Sequence, residues 1–281
     1  MGRNSLRENL DPQTVTGFGE EWTQFDQSQL SFEEREGLFR RYFAIFPWHL
    51  LPQNAVGFDM GCGSGRWAKS VAPRVGRLHC VDASEAAINV ARTNLRDVTN
   101  CDFHVASVDR LPFKNHSMDF GYSLGVLHHV PDTEAGLKSC VEKLKQGAPF
   151  LLYLYYAFDN RSKWFRLLWR GSNVLRQAVS RLPMWLRYRI SQLIAVFVYY
   201  PLARLALVLE SVGADVALIP LSAYRRLSFY TMQTDALDRF GTRLEQRFTL
   251  KEIVGMMERV GLDHILVSES VPFWCAVGQK K

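Results

Sequence analysis

Residues 56–67, VGFDMGCGSGRW, run from a short apolar strand into a turn with glycines at positions 61, 63 and 65, and then into a helix. Glycine adopts positive φ freely and lets the backbone approach a ligand closely, while a helix N-terminus offers free N–H groups to an anion. The GxGxG spacing differs from the GxGxxG of dinucleotide enzymes, and no GK[ST] follows to make a phosphate-binding P-loop. A second strand, RLHCVD, ends in Asp82, where an acid accepts hydrogen bonds from two ribose hydroxyls. Together the loop and the acid indicate a nucleoside-containing ligand.

Outward from this loop, residues 55–157 alternate strands and helices. AVGFDM, RLHCVD, DFHVASV, MDFGYSLG and PFLLYLYYAF are the strand runs. Ser84 caps a helix over EAAINVARTNLR, with Ala86, Ala87, Val90, Ala91 and Leu95 expected inward, and Asp132 or Thr133 caps TEAGLKSCVEKLK. Such alternation means βαβ units and a parallel sheet. Beyond it, Thr249 and Gly261 bracket a helix, and HILVSES and PFWCAVG read as two closing strands. Residues 1–50 form an N-terminal helical extension in which Leu38, Phe39, Tyr42, Phe43 and Phe46 share a face. The expected organisation is 1–50, a core at 51–157, an insertion at 158–246 and a core return at 247–281.

FDMGCGSG, VDAS, LPFKNHSMDF and SLGVLHHVPD, in that order, resemble class I S-adenosylmethionine-dependent methyltransferases. The resemblance implies an α/β fold, a seven-stranded, mostly parallel Rossmann-like sheet, here with a helical cap insertion. It also implies S-adenosyl-L-methionine as cofactor. Carried over by position, Asp59 supports the glycine loop, and Gly61, Cys62 and Gly63 pass beside the methionine part. Asp82 takes the ribose, and Ala83 lies beside the adenine. Ser107 and Val108 stand where the family usually has Asp-Ala, with Asp109 as a substitute adenine partner, and Leu124 completes the cofactor set. A Cβ at Gly63 is expected to fill space the ligand needs.

His128 and His129 follow the fourth strand, at the carboxyl edge where ligands sit in open α/β sheets. Either is a candidate proton acceptor during methyl transfer, beside the reading that one packs under the next helix. No grouping has metal-ligand spacing, so no metal is expected. Tyr153, Tyr156, Tyr224 and Arg225 are the candidate acceptor contacts. FGEEW at 18–22 and TDALDRFGTRLEQRFT at 234–249 resemble methyltransferases of bacterial polysaccharide and natural-product pathways. The expected acceptor is a hydroxyl of a sugar, polyketide or lipid-linked intermediate, with O, N, S and C acceptors not separable. The rival readings are a tRNA or nucleic-acid methyltransferase and a non-catalytic cofactor-binding interaction protein.

Net charge is +6, but nine basic residues and no acid fall between Asn160 and Leu209, leaving the rest of the chain at −3. An anionic partner is therefore localised to 160–209. KWFRLLWR sets Lys163, Arg166 and Arg170 on one helical side and Trp164, Leu167 and Leu168 on another, a pattern of membrane-surface helices. Pro201 and Arg204 interrupt Ile190–Leu209, and the uninterrupted run Leu193–Tyr200 is too short to span a bilayer. Peripheral contact with an anionic membrane, an anionic substrate, RNA and simple solvation remain the alternatives. RNA is disfavoured because no RNA-binding module is appended. Five cysteines without a CxxC suit a reduced, cytoplasmic protein, possible at the membrane periphery. MGRNSLRENLDPQ lacks the apolar stretch of a signal peptide, and GRNSLR lacks the Ser or Thr of a myristoylation site.

Overall fold

The computed structural model describes residues 8–216 and 219–281; the signal-peptide and myristoylation readings rest largely on residues 1–7, outside the described part. Seven strands form one sheet: β1 Val56–Met60, β2 Arg77–Asp82, β3 Cys101–Val105, β4 Phe120–Leu124, β5 Pro149–Tyr153, β6 Leu262–Val267 and β7 Cys275–Lys280. Their order is β3-β2-β1-β4-β5-β7-β6. The first five pair in parallel, and β7 lies antiparallel between β5 and β6. The order reverses between β1 and β4, and the crevice at that switch point is where an open sheet takes its ligand.

Helices cover both faces, as a parallel sheet requires. On one side lie α2 (Phe32–Tyr42), the short α3 (Ala68–Val71) and α4 (Glu85–Asn94), whose Phe39, Ala68, Ile88 and Ala91 pack with Leu78, Phe120 and Leu151. On the other, α5 (Thr133–Lys143) and α10 (Leu250–Arg259) bring Leu137, Val141, Ile253 and Met257 against Phe58 and Phe150. The caps at Ser84, Asp132 and Thr249 form as expected, the last as a reciprocal capping box with Glu252. In α4 the inward set differs from the expected one. Ile88 is buried, Ala86 is exposed and Val90 is only partly covered, because the helix lies about one residue rotated from the face drawn from composition.

Ahead of the Leu38–Phe46 face, the N-terminal extension carries a first helix, α1 (Pro12–Gln24), capped by the Asp11 side chain. The insertion is helical: α6 (Lys163–Val179), α7 (Met184–Ile194), α8 (Tyr200–Ser211) and α9 (Phe229–Gly241). It owns a small core in which Val179, Ala195, Tyr199 and Ala203 meet Met232, Ala236 and Phe240.

The interruption expected at Pro201 and Arg204 is absent. One helix of 28 residues runs from Met184 to Ser211, long and apolar enough by composition to cross a membrane. A single widened turn over Ala195–Tyr199, in which the Tyr200 N–H donates to the Ala195 carbonyl, precedes Pro201. Proline sits in the first positions of the following helical segment, where its missing N–H costs least. Arg204 leaves the outer face by donating to the Arg225 and Leu227 carbonyls.

Candidate functional site

The glycine loop is held by its own backbone. The Gly61 and Cys62 N–H groups both donate to the Val81 carbonyl, at 2.8 and 3.0 Å. Gly61 and Gly63 have φ of +80° and +52°, conformations that a Cβ penalises. A Cβ at Gly61 would come within 2.3 Å of Val126, and one at Gly63 within 2.8 Å of the Trp22 indole. This corrects the reading of Gly63: its small size makes room for Trp22 of α1 rather than directly for a ligand.

Above the loop lies an open cavity of about 850 Å³. Its floor is Met60, Gly61, Cys62, Asp82, Ala83, Ser107, Val108, Leu124, Gly125 and Val126, and its far wall is Thr14, Phe18 and Trp22 of α1. Most of the residues assigned to a cofactor from sequence thus meet in one space; Gly63 and Asp59 do not line it. Gly63 instead donates its N–H to Asp82 Oδ2 at 3.0 Å, while Ser84 N–H donates to Oδ1 at 2.9 Å. These bonds orient the carboxylate and leave each oxygen a lone pair for the cavity. Burial raises the Asp82 pKa, and the amides of Ser84 and Gly63 counteract the rise.

Asp59 is buried behind the loop, and burial pushes its pKa up to about 8, only partly offset by the Tyr122 hydroxyl. Asp109 does not line the cavity. Burial acts to raise its pKa, but the Ser107 hydroxyl and the Asn9 N–H outweigh that and hold it below the ordinary value. Asn9 lines the cavity in its place, tied to Asp132 through its side-chain amide in both directions.

The two histidines separate. His128 is fully buried, outside the cavity, stacked at 3.9 Å from both the His129 and the Tyr155 rings. Burial, and then the charges of His129 and Arg247, drive its pKa well below the ordinary value. It packs away from the cavity and does not face the space where an acceptor would sit, unlike the catalytic place expected for it from sequence. His129 lines the cavity, and its Nδ1 lies 2.6 Å from the Leu244 carbonyl. That acceptor fixes the proton on Nδ1 and leaves Nε2 as the lone-pair nitrogen; Nε2 is itself buried and has no hydrogen-bond partner among the described residues. Burial lowers the His129 pKa, and Asp238 opposes the shift.

Behind His129, between α1 and α9, the buried Glu21 and the half-buried Asp235 and Asp238 lie close enough for their charges to interact. The Asp238 carboxylate accepts a hydrogen bond from Tyr155. The pKa of Glu21 stands well above the ordinary value through burial and then through Asp238 and Asp235, with Arg66 opposing. Asp235 is raised to about 6, by burial first. Arg66 lines the cavity and stacks at 4.3 Å over Trp67.

The acceptor contacts expected from sequence do not converge on this cavity. Tyr153 lies 4.0 Å from where a Gly125 Cβ would sit, but packs edge-on against Tyr42 instead of lining the space. Tyr156 packs with Phe158, Phe273 and Trp274. Tyr224 packs on Tyr199, and Arg225 pairs with Glu210 at 2.7 Å. Tyr155, just past the end of β5 and between the two tyrosines chosen, is the one turned toward the histidines. Nor does any described residue of 158–246 line this cavity. A smaller cavity of about 270 Å³ lies between α1 and the insertion, bounded by Phe18, Glu21, Arg187 and Leu237. Phe18, Trp22, Asn9 and Arg66 were missed; the i, i+4 spacing of Phe18 and Trp22 within FGEEW was the available signal.

Residues 58–152 match the family model described as a methyltransferase domain. Among curated proteins, a ubiquinone biosynthesis O-methyltransferase of Acinetobacter baylyi is 26% identical over 165 residues, covering 55% of this chain and 65% of that protein. A tRNA (carboxymethyluridine(34)-5-O)-methyltransferase of Saccharomyces cerevisiae is 29% identical over 121 residues, 39% of this chain and 41% of that one. The chain thus spans less than two thirds of the length of these relatives. Among solved structures, a SAM-dependent methyltransferase of Methanosarcina mazei superposes with a TM-score of 0.51 at 20% identity, covering 84% of this chain and 98% of the other. The shared fold is the Rossmann-like methyltransferase sheet.

Proposed function

We propose that this chain is an S-adenosylmethionine-dependent methyltransferase acting on a hydroxyl of a small-molecule acceptor, with His129 as general base. The observation that carries the reading is a single cavity joining a carboxylate, Asp82, at the end of the second strand to a histidine whose Nε2 is unpaired. The residues present suit the cofactor. Asp82 offers two acceptor oxygens for ribose hydroxyls, Ser107, Val108 and Asn9 bound the end where adenine would lie, and Arg66 offers a cation to a carboxylate. When bound, S-adenosylmethionine supplies an electrophilic methyl group on sulfur.

His129 then takes the acceptor proton at Nε2, while the Leu244 carbonyl keeps the ring oriented through Nδ1–H. Asp238 stabilises the imidazolium that forms, and the apolar walls Phe18 and Val126 exclude water. A base that holds a proton only transiently suits a hydroxyl, which must lose its proton as the carbon–oxygen bond forms. The relatives named as ubiquinone biosynthesis O-methyltransferases favour an O-acceptor of low polarity. The test is formation of S-adenosylhomocysteine from labelled cofactor with phenolic, sugar and lipid-linked alcohols, in wild type and in His129→Gln. Turnover of an alcohol that collapses in the variant supports the reading; turnover only on RNA would replace it.

A further inference from the structure

The faces of the insertion divide unequally. The inner side of the Met184–Ser211 helix is taken up by packing: Ser191, Ala195, Tyr199, Ala203 and Ala206 are buried, several of them against α9. Its outer side carries Trp185, Leu193, Phe197, Leu205 and Val208 in water, with Trp185 and Phe197 at 68% and 72% exposure. On α6, Trp164, Leu167, Leu168 and Leu175 repeat at helical spacing and are all exposed, while Arg176 and Val179 turn inward. Isolated exposed apolar side chains need no explanation, but apolar rows along two helices that both pack on α9 exceed what a solvated surface carries.

Charge identifies what covers it. Of the nine basic residues between 160 and 209, Arg176, Arg187 and Arg204 are tied to backbone carbonyls elsewhere in the insertion. Lys163, Arg166, Arg170, Arg181 and Arg189 form no salt bridge among the described residues, and no acid interrupts the segment. Lys163, Arg166 and Arg170 follow i, i+3, i+7 spacing, immediately beside the Trp164–Leu167–Leu168 stripe. An apolar stripe with tryptophans, flanked by unpaired cations, complements an anionic bilayer surface: the rings and leucines enter the headgroup boundary and the cations meet phosphate.

We propose that the outer face formed by α6 and the Met184–Ser211 helix docks this protein on anionic lipid membranes, lying in the interface rather than crossing it. Crossing would strip the helix from α9 and expose the Arg204 guanidinium and the carbonyls it serves to hydrocarbon. The surface does not depend on the methyl-transfer reading, and its test does not use turnover.

The test is co-sedimentation of the full chain with phosphatidylcholine vesicles, with and without phosphatidylglycerol, at low salt and at about 1 M salt, where the Debye length is about 3 Å. Binding is expected to the phosphatidylglycerol vesicles at low salt and to fall at high salt. Lys163→Glu/Arg166→Glu/Arg170→Glu should weaken partitioning by at least about 100-fold, since each basic side chain near an anionic surface contributes about fivefold. Leu167→Ser/Leu168→Ser should weaken it with the charges intact. Arg166 is half-buried and the other four are exposed, so an unchanged thermal midpoint would show that the fold survives. Absence of vesicle binding at low salt overturns the proposal. So does equal binding to neutral vesicles, or a concentration-dependent dimer abolished by the same substitutions without vesicle binding.

Discussion

Replacing Asp82 by alanine removes a carboxylate that faces two ways. Its oxygens already accept the Gly63 and Ser84 amides at 3.0 and 2.9 Å, and each keeps one acceptor direction toward the cavity. A ribose diol would use both. A hydrogen bond to a charged group contributes about 1.5–3 kcal/mol, and two on one carboxylate do not add fully, so the loss should be about 3 kcal/mol. That is about 150-fold in Kd, measurable by calorimetry with S-adenosylhomocysteine. The freed Gly63 and Ser84 amides should also lower the thermal midpoint, because Ser84 is buried. Asp82→Asn should restore little of the affinity, since its amide group would oppose one of the two backbone donors. Burial raises the Asp82 pKa, so wild-type affinity should begin to fall at a higher pH, on acidification, than an ordinary carboxylate would dictate. Wild-type affinity for S-adenosylhomocysteine in Asp82→Ala would refute the ribose assignment and with it the orientation of the whole cavity.

His129→Gln should lower kcat by about 100-fold or more with cofactor affinity kept, whereas His128→Phe should act mainly on stability, read by melting. The acid limb of the wild-type rate profile should lie below pH 6.5, because burial lowers the His129 pKa; Asp238→Asn should move it lower still by removing the charge that opposes the shift. Asp59 has a folded pKa of about 8 against an ordinary 3.8. Its contribution is therefore present below the ordinary value and lost as pH rises through 8. Thermal melts from pH 5 to 8 should show Asp59→Asn gaining on wild type by an amount on the order of a few kcal/mol at most. Gly63→Ala should weaken cofactor binding through its positive φ and the contact with Trp22; pairing it with Trp22→Ala should recover part of the loss if that contact matters, and none if it does not.

The sheet was legible because its signals are local. Glycine at 61 and 63, the acid ending RLHCVD, the caps at Ser84 and Thr249 and the alternation of apolar runs with amphipathic helices are each decided by neighbours within a few residues. The same locality brings Asp82, Ala83, Ser107 and Leu124 to one cavity, since each sits at the carboxyl end of a strand or just past it, whose register fixes the direction. The separation of His128 from His129 was not legible. Adjacent residues differ only in which way the turn points them, and that depends on Tyr155 from one segment and Leu244 from another. The wall made by Phe18 and Trp22 faces residues up to about a hundred positions away, and the meeting of Glu21 with Asp235 and Asp238 joins residues more than two hundred apart. Nor could the sequence show that Arg204 folds inward and that a widened turn carries the helix past Pro201. Strand ends are set by backbone pattern; which side chains face one another across an inserted domain is set only when its core closes, because burial there is shared among distant partners.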